Sequence, residues 1–348
     1  MTCVIKTNTL LPEYKHSEQE AIEQYKNWVS EKSQSFQNKA IKIFESAVIK
    51  EKHTIAPAEV LFSKRTFEET NNLYKEKAVE FGTKILADTL QKTEIKPEEL
   101  DFIITTSCTG FMIPSFDTYV INSLGLRKDI KKLPITEIGC AAGASALIYA
   151  NDFLKAYPDK KAAVITLEFP SNTIQLDDYS WDNIVGTALF ADGIGCAILG
   201  ENIRGCPEII DSQMHQVVDT TEILGYNITN TGLKMNLDKT IPNVIEEHFE
   251  QIVSDFLNTN GLKIEDVDHF LIHPGGIKIL NKIENILSKY NKNVDISRKI
   301  METYGNLSSS TILFILNEYM NNTAAGETAL VLSFGPGFSA HQLLLRWN

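Results

Sequence analysis

Hydrophobic residues along this chain form short unbroken runs that alternate with longer stretches of helical periodicity. The runs at residues 102–104, 163–167 and 329–333 are typical of buried strands. Residues 144–154 place apolar side chains at helical spacing and predict an amphipathic helix. This alternation predicts an α/β fold in which mostly parallel sheets are covered by helices.

Two further helices are predicted ahead of the alternating region. Ser17 and Glu20 have the spacing of a capping box and predict a helix that runs towards Ser46. Residues 71–91 predict a second helix. No Gly/Ser-rich linker or low-complexity tract interrupts the chain, so we expect one compact unit.

The pattern of strands and helices repeats once along the chain. Residues 96–104 resemble residues 263–272, because each has an acidic lead-in to an apolar strand. Cys140 aligns with Asn306 (306 − 140 = 166), and the apolar strands that follow them align at the same offset. Each half therefore predicts the order strand, helix, strand, helix, strand. Because ligands in such folds gather where strands end and helices begin, we expect the turns at Cys140 and Asn306 to converge on one site.

Composition narrows the classes of function. The chain has 348 residues, with 33 Lys and Arg against 45 Asp and Glu, for a formal net charge of −12. This balance argues against general binding of nucleic acid or of an anionic membrane surface. No stretch approaches the roughly 18 apolar residues of a membrane-spanning helix. We expect a soluble cytoplasmic protein.

The five cysteines do not form a recognisable metal or disulfide framework. They contain no C-x-x-C pair and are widely spaced, so neither a zinc site nor a disulfide scaffold is indicated, and a reducing compartment fits best. They are Cys3, Cys108, Cys140, Cys196 and Cys206.

Cys140 is the first candidate for chemistry. It lies in the sequence GCAAG at residues 139–143, between a predicted strand and a predicted helix. The unpaired N–H groups and positive dipole end of a helix favour thiolate over thiol, and the small neighbours let a substrate approach. The alternative is a buried core cysteine beside a tight turn.

Three other turns carry candidate residues. His273 opens HPGG at a strand end, where the glycines leave space beside the imidazole; the alternative is a core histidine bonded to backbone. Asn306 lies in YGNLSSS, where its alternative role is a helix N-cap. Residues 333–338, SFGPGF, join the last two predicted strands through a rigid bend or a simple hairpin turn.

Together these motifs resemble the type III polyketide synthases, the chalcone-synthase-like branch of the thiolase superfamily, and bacterial members in particular. The order and spacing of GCAAG, HPGG, YGNLSS and FGPG carry the resemblance, and residues 185–193, VGTALFADG, supply a fifth motif. The resemblance implies a thiolase-like fold, with duplicated βαβαβ halves in a layered α-β-α-β-α core. It places the nucleophilic cysteine in an N-terminal half, residues 1–205, and the histidine and asparagine in a C-terminal half, residues 206–348.

The resemblance also implies a reaction. Malonyl-CoA would be condensed, with loss of CO2, onto an acyl-CoA starter held on Cys140, repeatedly and with final cyclisation to a pyrone, resorcinol or related aromatic polyketide. His273 would hold the thiolate as an ion pair and share with Asn306 the donation of hydrogen bonds to the oxyanion and to the malonyl enolate. Asn306 donates without titrating, whereas a carboxylate would repel an enolate. Neither a metal nor another cofactor is expected.

Other positions follow from the resemblance alone. Phe190 matches an aromatic gate between the coenzyme A tunnel and the cavity, and Met235 stands where plant members usually have a second gating phenylalanine. Lys39 and Lys42 match basic positions that bind coenzyme A phosphates, while Ser46 replaces a third. The alternatives are ordinary core packing for the phenylalanine and a solvated helix face for the lysines.

The implied cavity wall includes Cys108, which is equally a small buried hydrophobe, and Tyr226, which could shorten the cavity. Ile113 matches a residue that crosses a dimer interface, commonly through a cis peptide to the next proline, so a homodimer is expected. Further implied cavity positions are Thr109, Thr173, Ser308, Gly335, Pro336 and Gly337.

Two rival functions remain open at the level of sequence. An initiating ketoacyl carrier-protein synthase uses the same Cys, His and Asn but takes its extender from acyl carrier protein. A thiolase-fold protein without catalysis would only bind an acyl thioester or a partner enzyme. The starter, the number of condensations and the ring closure depend on a cavity built from scattered side chains, which the sequence does not define.

Overall fold

The computed structural model describes residues 2–201 and 205–348. In these ranges the strands are β1 Thr2–Leu10, β2 Tyr14–Ser17, β3 Glu51–Thr54, β4 Phe102–Thr106, β5 Lys131–Ile135, β6 Ala162–Glu168, β7 Gly193–Glu201, β8 Pro207–Gln216, β9 Leu224–Thr229, β10 Gly232–Leu237, β11 His269–Ile272, β12 Thr328–Gly335 and β13 Ser339–Trp347. The helices are α1 Glu18–Trp28, α2 Gln34–Ala47, α3 Ala58–Leu61, α4 Phe67–Gln91, α5 Phe116–Leu124, α6 Ala142–Ala156, α7 Trp181–Leu189, α8 Ile241–Thr259, α9 Ile277–Leu287, α10 Asp295–Tyr304 and α11 Thr311–Tyr319. No helix in the described ranges is both long and apolar enough to cross a bilayer.

Nine strands form one large sheet in the order β11-β12-β13-β8-β1-β7-β6-β4-β5. The pairs β4·β5, β4·β6 and β11·β12 are parallel, whereas the remaining pairs are antiparallel. The expectation of mostly parallel sheets was therefore wrong, because β7 runs opposite to both of its neighbours, β6 and β1, and β8 and the hairpin-connected β13 continue this alternation. The two groups of strands meet where Cys3 of β1 pairs with Glu208 of β8.

Alternating side chains on these strands separate the molecule into layers. Along β6, Val164 faces a central layer that contains α6 and α11, and Ile165 faces the layer of α4 and α5. Along β12, Val331 faces the same central helices, and Leu332 faces the layer of α8 and α9. The predicted thiolase-like α-β-α-β-α arrangement is confirmed.

The N-terminal helices follow their capping signals closely. The Ser17–Glu20 capping box is present, but the helix that it opens ends at Trp28, and α2 begins after a new N-cap at Ser33. The single helix predicted towards Ser46 is therefore two helices. The helix predicted over residues 71–91 begins earlier, after a capping box at Thr66.

The internal duplication is visible in the elements, with one exception. Strands β4 and β11, helices α6 and α11, and strands β6 and β12 occupy matching places. The middle strand of the first half, β5, has no counterpart, because α10 lies where the second half was expected to form a strand. Ile296, Ile300 and Tyr304 recur every four residues, which suits a helix with one buried face.

Candidate active site

Cys140 lies in a 3-10 turn, Gly139–Ala141, immediately before the buried helix α6. Gly139 has φ +59°, a conformation that favours glycine, and a Cβ there would lie 2.7 Å from Cδ of Pro336. A Cβ on Gly335 would lie 2.7 Å from Cβ of Ala141. The Gly-Pro-Gly bend is thus more than a hairpin turn, since it packs directly against the cysteine turn.

The second half supplies a buried imidazole and a buried amide. His273 follows β11, and its backbone N–H donates to the carbonyl of Leu332 at 2.8 Å, while its Nδ1 has no hydrogen-bond partner among the described residues. Asn306 Nδ2 donates to the carbonyl of Gly275 at 3.0 Å, and Asn306 Oδ1 accepts from the backbone N–H of Ser308 at 2.8 Å. The amide therefore joins the histidine loop to the turn that precedes α11.

The two halves bring their turns to a common cavity. Cys140, His273, Asn306 and Phe190 all line a space between the β12–β13 hairpin and α8. Cys140 and Phe190 also line an adjoining cavity of about 340 Å³. Predicted positions in that larger cavity are Cys108, Tyr226, Met235, Ser308 and Pro336.

Some predicted cavity positions lie elsewhere. Thr109 and Thr173 line a separate small cavity beside α4, and Thr173 also reaches the space next to Phe190 and Met235. Gly335 supports the cysteine turn from behind, and Gly337 has φ +119° within the bend.

Burial controls the titration of both candidate catalytic groups. It raises the pKa of the Cys140 thiol to about 12, although a contact with Ser308 Oγ at 3.4 Å acts in the opposite direction. Burial also lowers the pKa of His273 to about 4. Desolvation thus disfavours both charged forms of the expected thiolate–imidazolium pair and acts against the effect of the helix N-terminus on the thiol.

Glu168 is a buried carboxyl near Cys140 that the sequence analysis missed. Its oxygens accept from Ser309 Oγ at 2.6 Å, from the backbone N–H of Cys108 at 3.1 Å and from Thr109 Oγ1 at 3.2 Å. Burial raises the pKa of Glu168 despite these bonds. In the sequence, its position at the end of the apolar run of β6 is the one feature that indicates a buried carboxyl.

The predicted peripheral positions are exposed. Lys39 and Lys42 lie on the surface of α2, where Lys39 Nζ sits 3.8 Å from the centre of the Trp181 ring. Ile113 is fully exposed, and its peptide bond to Pro114 is cis. Within the described residues, no three His, Cys, Asp or Glu side chains are grouped as metal ligands.

Comparisons with known proteins point in one direction. A family model described as "FAE1/Type III polyketide synthase-like protein" matches residues 11–222, and one described as "Chalcone and stilbene synthases, C-terminal domain" matches residues 208–347. The chain is 29% identical over 363 residues to a putative chalcone synthase of Bacillus subtilis, covering 100% of this chain and 99% of that protein. It is 30% identical over 310 residues to 1,3,6,8-tetrahydroxynaphthalene synthase of Streptomyces griseus, covering 88% and 83%. The crystal structure of 1,3,6,8-tetrahydroxynaphthalene synthase from Streptomyces coelicolor matches with a TM-score of 0.94 at 26% identity, over 99% of both chains.

Proposed function

The chain belongs to the type III polyketide synthases of the chalcone and stilbene synthase family, and from that membership we propose that it extends an acyl-CoA starter with malonyl-CoA on Cys140. The observation that carries this proposal is the convergence of Cys140, His273 and Asn306 on one cavity. These residues come from turns in both halves of the chain, and they supply a nucleophile and two candidate hydrogen-bond donors.

The first step is acyl transfer to the cysteine. Cys140 Sγ attacks the thioester carbonyl of the starter, the carbon–sulfur bond to coenzyme A breaks, and the coenzyme A sulfur leaves with the proton. Burial raises the pKa of the thiol, so the neutral His273 ring, which lines the same cavity, would accept the proton as Sγ attacks. Hydrogen bonds from Asn306 Nδ2 and from the imidazole stabilise the oxyanion.

The second step makes the carbon–carbon bond. Malonyl-CoA loses CO2, and the released electron pair forms an enolate whose oxygen accepts hydrogen bonds from Asn306 and His273. The enolate carbon attacks the acyl carbonyl on Cys140, and the cysteine sulfur leaves. The lengthened chain, now on coenzyme A, returns to Cys140 for the next round.

The larger cavity is where the growing chain would fold. Its volume of about 340 Å³ and the presence of Tyr226 in its wall favour a short polyketide that closes to a pyrone, a resorcinol or a related small aromatic ring. Phe190 and Met235 lie between this cavity and the neighbouring space, in keeping with a gating role.

Substrate delivery and assembly complete the proposal. The exposed Lys39 and Lys42 would bind coenzyme A phosphates, and no cofactor would be needed. Phe111 and the fully exposed Ile113 present apolar surface on one loop, which suits a homodimer interface. The protein would work in the cytoplasm.

The proposal is tested by incubating purified protein with malonyl-CoA and a panel of acyl-CoA starters. Mass spectrometry of the products and of the intact protein should find new polyketides and an acyl adduct, both missing in Cys140→Ala. Activity only with malonyl-loaded acyl carrier protein would instead assign an initiating ketoacyl synthase. Binding of acyl-CoA without adduct or product would indicate a non-catalytic protein.

A further inference from the structure

Lys52, on strand β3, is a buried cation next to the proposed gate. Its side chain is 8% exposed, and its Nζ donates to the carbonyl of Thr187 at 2.7 Å and to the carbonyl of Phe190 at 3.1 Å. These carbonyls belong to the last turn of α7 and to the residue that follows it. A cation at a helix C-terminus is favourable because it meets unpaired carbonyls and the negative end of the dipole.

The same segment is tied to Asn306 by backbone hydrogen bonds. The N–H of Asn306 donates to the carbonyl of Leu189 at 2.9 Å, and the N–H of Ala191 donates to the carbonyl of Asn306 at 3.0 Å. Phe190 thus lies in a segment that Lys52 and Asn306 both bind. A shift of the Phe190 backbone would move the amide as well.

Strand β3 and the residue that follows it make two more bonds to the end of this segment. Asp192 N–H donates to the carbonyl of His53 at 3.0 Å, and Ile55 N–H donates to Asp192 Oδ2 at 2.8 Å. Asp192 is also the acidic neighbour that favours the Lys52 ammonium, although burial lowers the pKa of Lys52 to about 7 and raises that of Asp192 to about 7. A buried charge is costly unless it is paired and hydrogen-bonded. Lys52 has both kinds of partner, two backbone carbonyls and the acidic Asp192.

We propose that Lys52 is a positioning residue for the condensation: by holding the Phe190 carbonyl, it sets the direction of the gate side chain and the distance of the Asn306 amide from the reacting carbonyl. The inference rests on the proposed function, since gate and amide are named for that reaction. Placement errors of about 1 Å at a reacting centre can cost around a hundredfold in rate.

Lys52→Met tests the inference, because it keeps an unbranched side chain but loses both hydrogen bonds. We expect release of CO2 from malonyl-CoA to fall about tenfold in kcat, while acylation of Cys140 by the starter persists. Lys52→Arg should recover most of the loss. Lys50→Met is the matched control, since Lys50 is an exposed lysine at the entrance to the same strand, and it should behave as the unaltered enzyme.

Tyr25→Phe separates positioning from stability. Tyr25 Oη donates to the same Thr187 carbonyl at 2.5 Å but makes no bond to Phe190, so its loss should lower Tm and leave kcat and KM nearly unchanged. A Lys52→Met enzyme that loses Tm but keeps its kinetics would overturn the inference. If Lys52→Met does not fold, Lys52→Gln is measured in its place with the same criteria. Inactive unaltered enzyme would contradict the proposed function instead.

Discussion

The turns at Cys140 and Asn306 occupy equivalent places in the two halves of the chain, yet they carry different chemistry. Each follows a glycine in the left-handed region, Gly139 at φ +59° and Gly305 at φ +83°, and each leads into a buried helix. The first turn carries a thiol whose pKa burial raises to about 12. The second carries an amide that does not titrate. In the proposed reaction, one kind of turn would thus supply the nucleophile in the first half and a hydrogen-bond donor in the second.

The two turns also approach each other through equivalent residues. Gly143 and Ser309 correspond at the same offset (309 − 143 = 166), and a Cβ on Gly143 would lie 2.2 Å from the Ser309 carbonyl oxygen. The pseudo-symmetric contact explains why residues so distant in sequence share a cavity. The two equivalent residues differ, and the missing side chain of Gly143 lets the backbone of α6 contact the backbone at Ser309.

Placing a titrating group at the second turn should have the largest effect. In Asn306→Asp, the carboxylate oxygen still accepts from Ser308 N–H, but the Nδ2 donor is lost and a negative charge faces the enolate. We expect malonyl-CoA decarboxylation to fall by about 10² to 10³, as for loss of an oxyanion donor. Radiolabelled CO2 release measures it, and mass spectrometry checks that Cys140 is still acylated.

Asn293→Asp provides the matched control for this substitution. Asn293 is exposed, and its Oδ1 likewise accepts from a backbone N–H, that of Asp295 at 3.2 Å, but it lies away from the cavity. It should leave decarboxylation unchanged. Equal decarboxylation by Asn306→Asp and by the unaltered enzyme would show that the Asn306 amide takes no part in the reaction.

Filling the contact between the two turns should cost stability. Gly143→Ala places a methyl group against a backbone oxygen that cannot move without shifting the turn before α11. We expect the free energy of unfolding to fall by about 1–3 kcal/mol, measured by denaturant titration. Gly225→Ala is the control, because no atom of the residues that the structure describes lies within 4 Å of its Cβ position. Equal stability of the two variants would show that α6 and the turn before α11 can move apart at little cost in free energy.

Sequence was sufficient where the signal is local or repeated. The Ser17 capping box and the turns at Cys140 and Asn306 can be recognised from neighbouring residues. The duplication then predicts that the two turns lie close together. The duplication predicted a strand where α10 lies, although the helical spacing of Ile296 and Ile300 favours a helix there.

The partners of the buried charged residues could not be predicted from the sequence. The proposed role of Lys52 depends on carbonyls 135 and 138 residues away, and Glu168 accepts from hydroxyls and a backbone N–H that two other segments supply. Neither position has a local motif. The same holds for the direction of the Cys140 pKa, because burial depends on the whole cavity and the helix terminus alone suggests the opposite.

The smallest expected effect concerns the hydroxyl that joins the two turns. Ser308 Oγ contacts Cys140 Sγ at 3.4 Å and lowers its pKa, so Ser308→Ala should raise that pKa further. Only thiolate reacts with iodoacetamide. With a pKa of about 12, the alkylation rate of Cys140 should rise about tenfold per pH unit from pH 7 to 10, and the variant should be slower at every pH by about three- to tenfold. The rate must be read from the Cys140 peptide by mass spectrometry, because the pKa of Cys206 is lowered to about 7 and that thiol reacts earlier. A plateau near neutral pH would show instead that His273 holds the thiolate as an ion pair, and the two turns would then differ in charge as well as in chemistry.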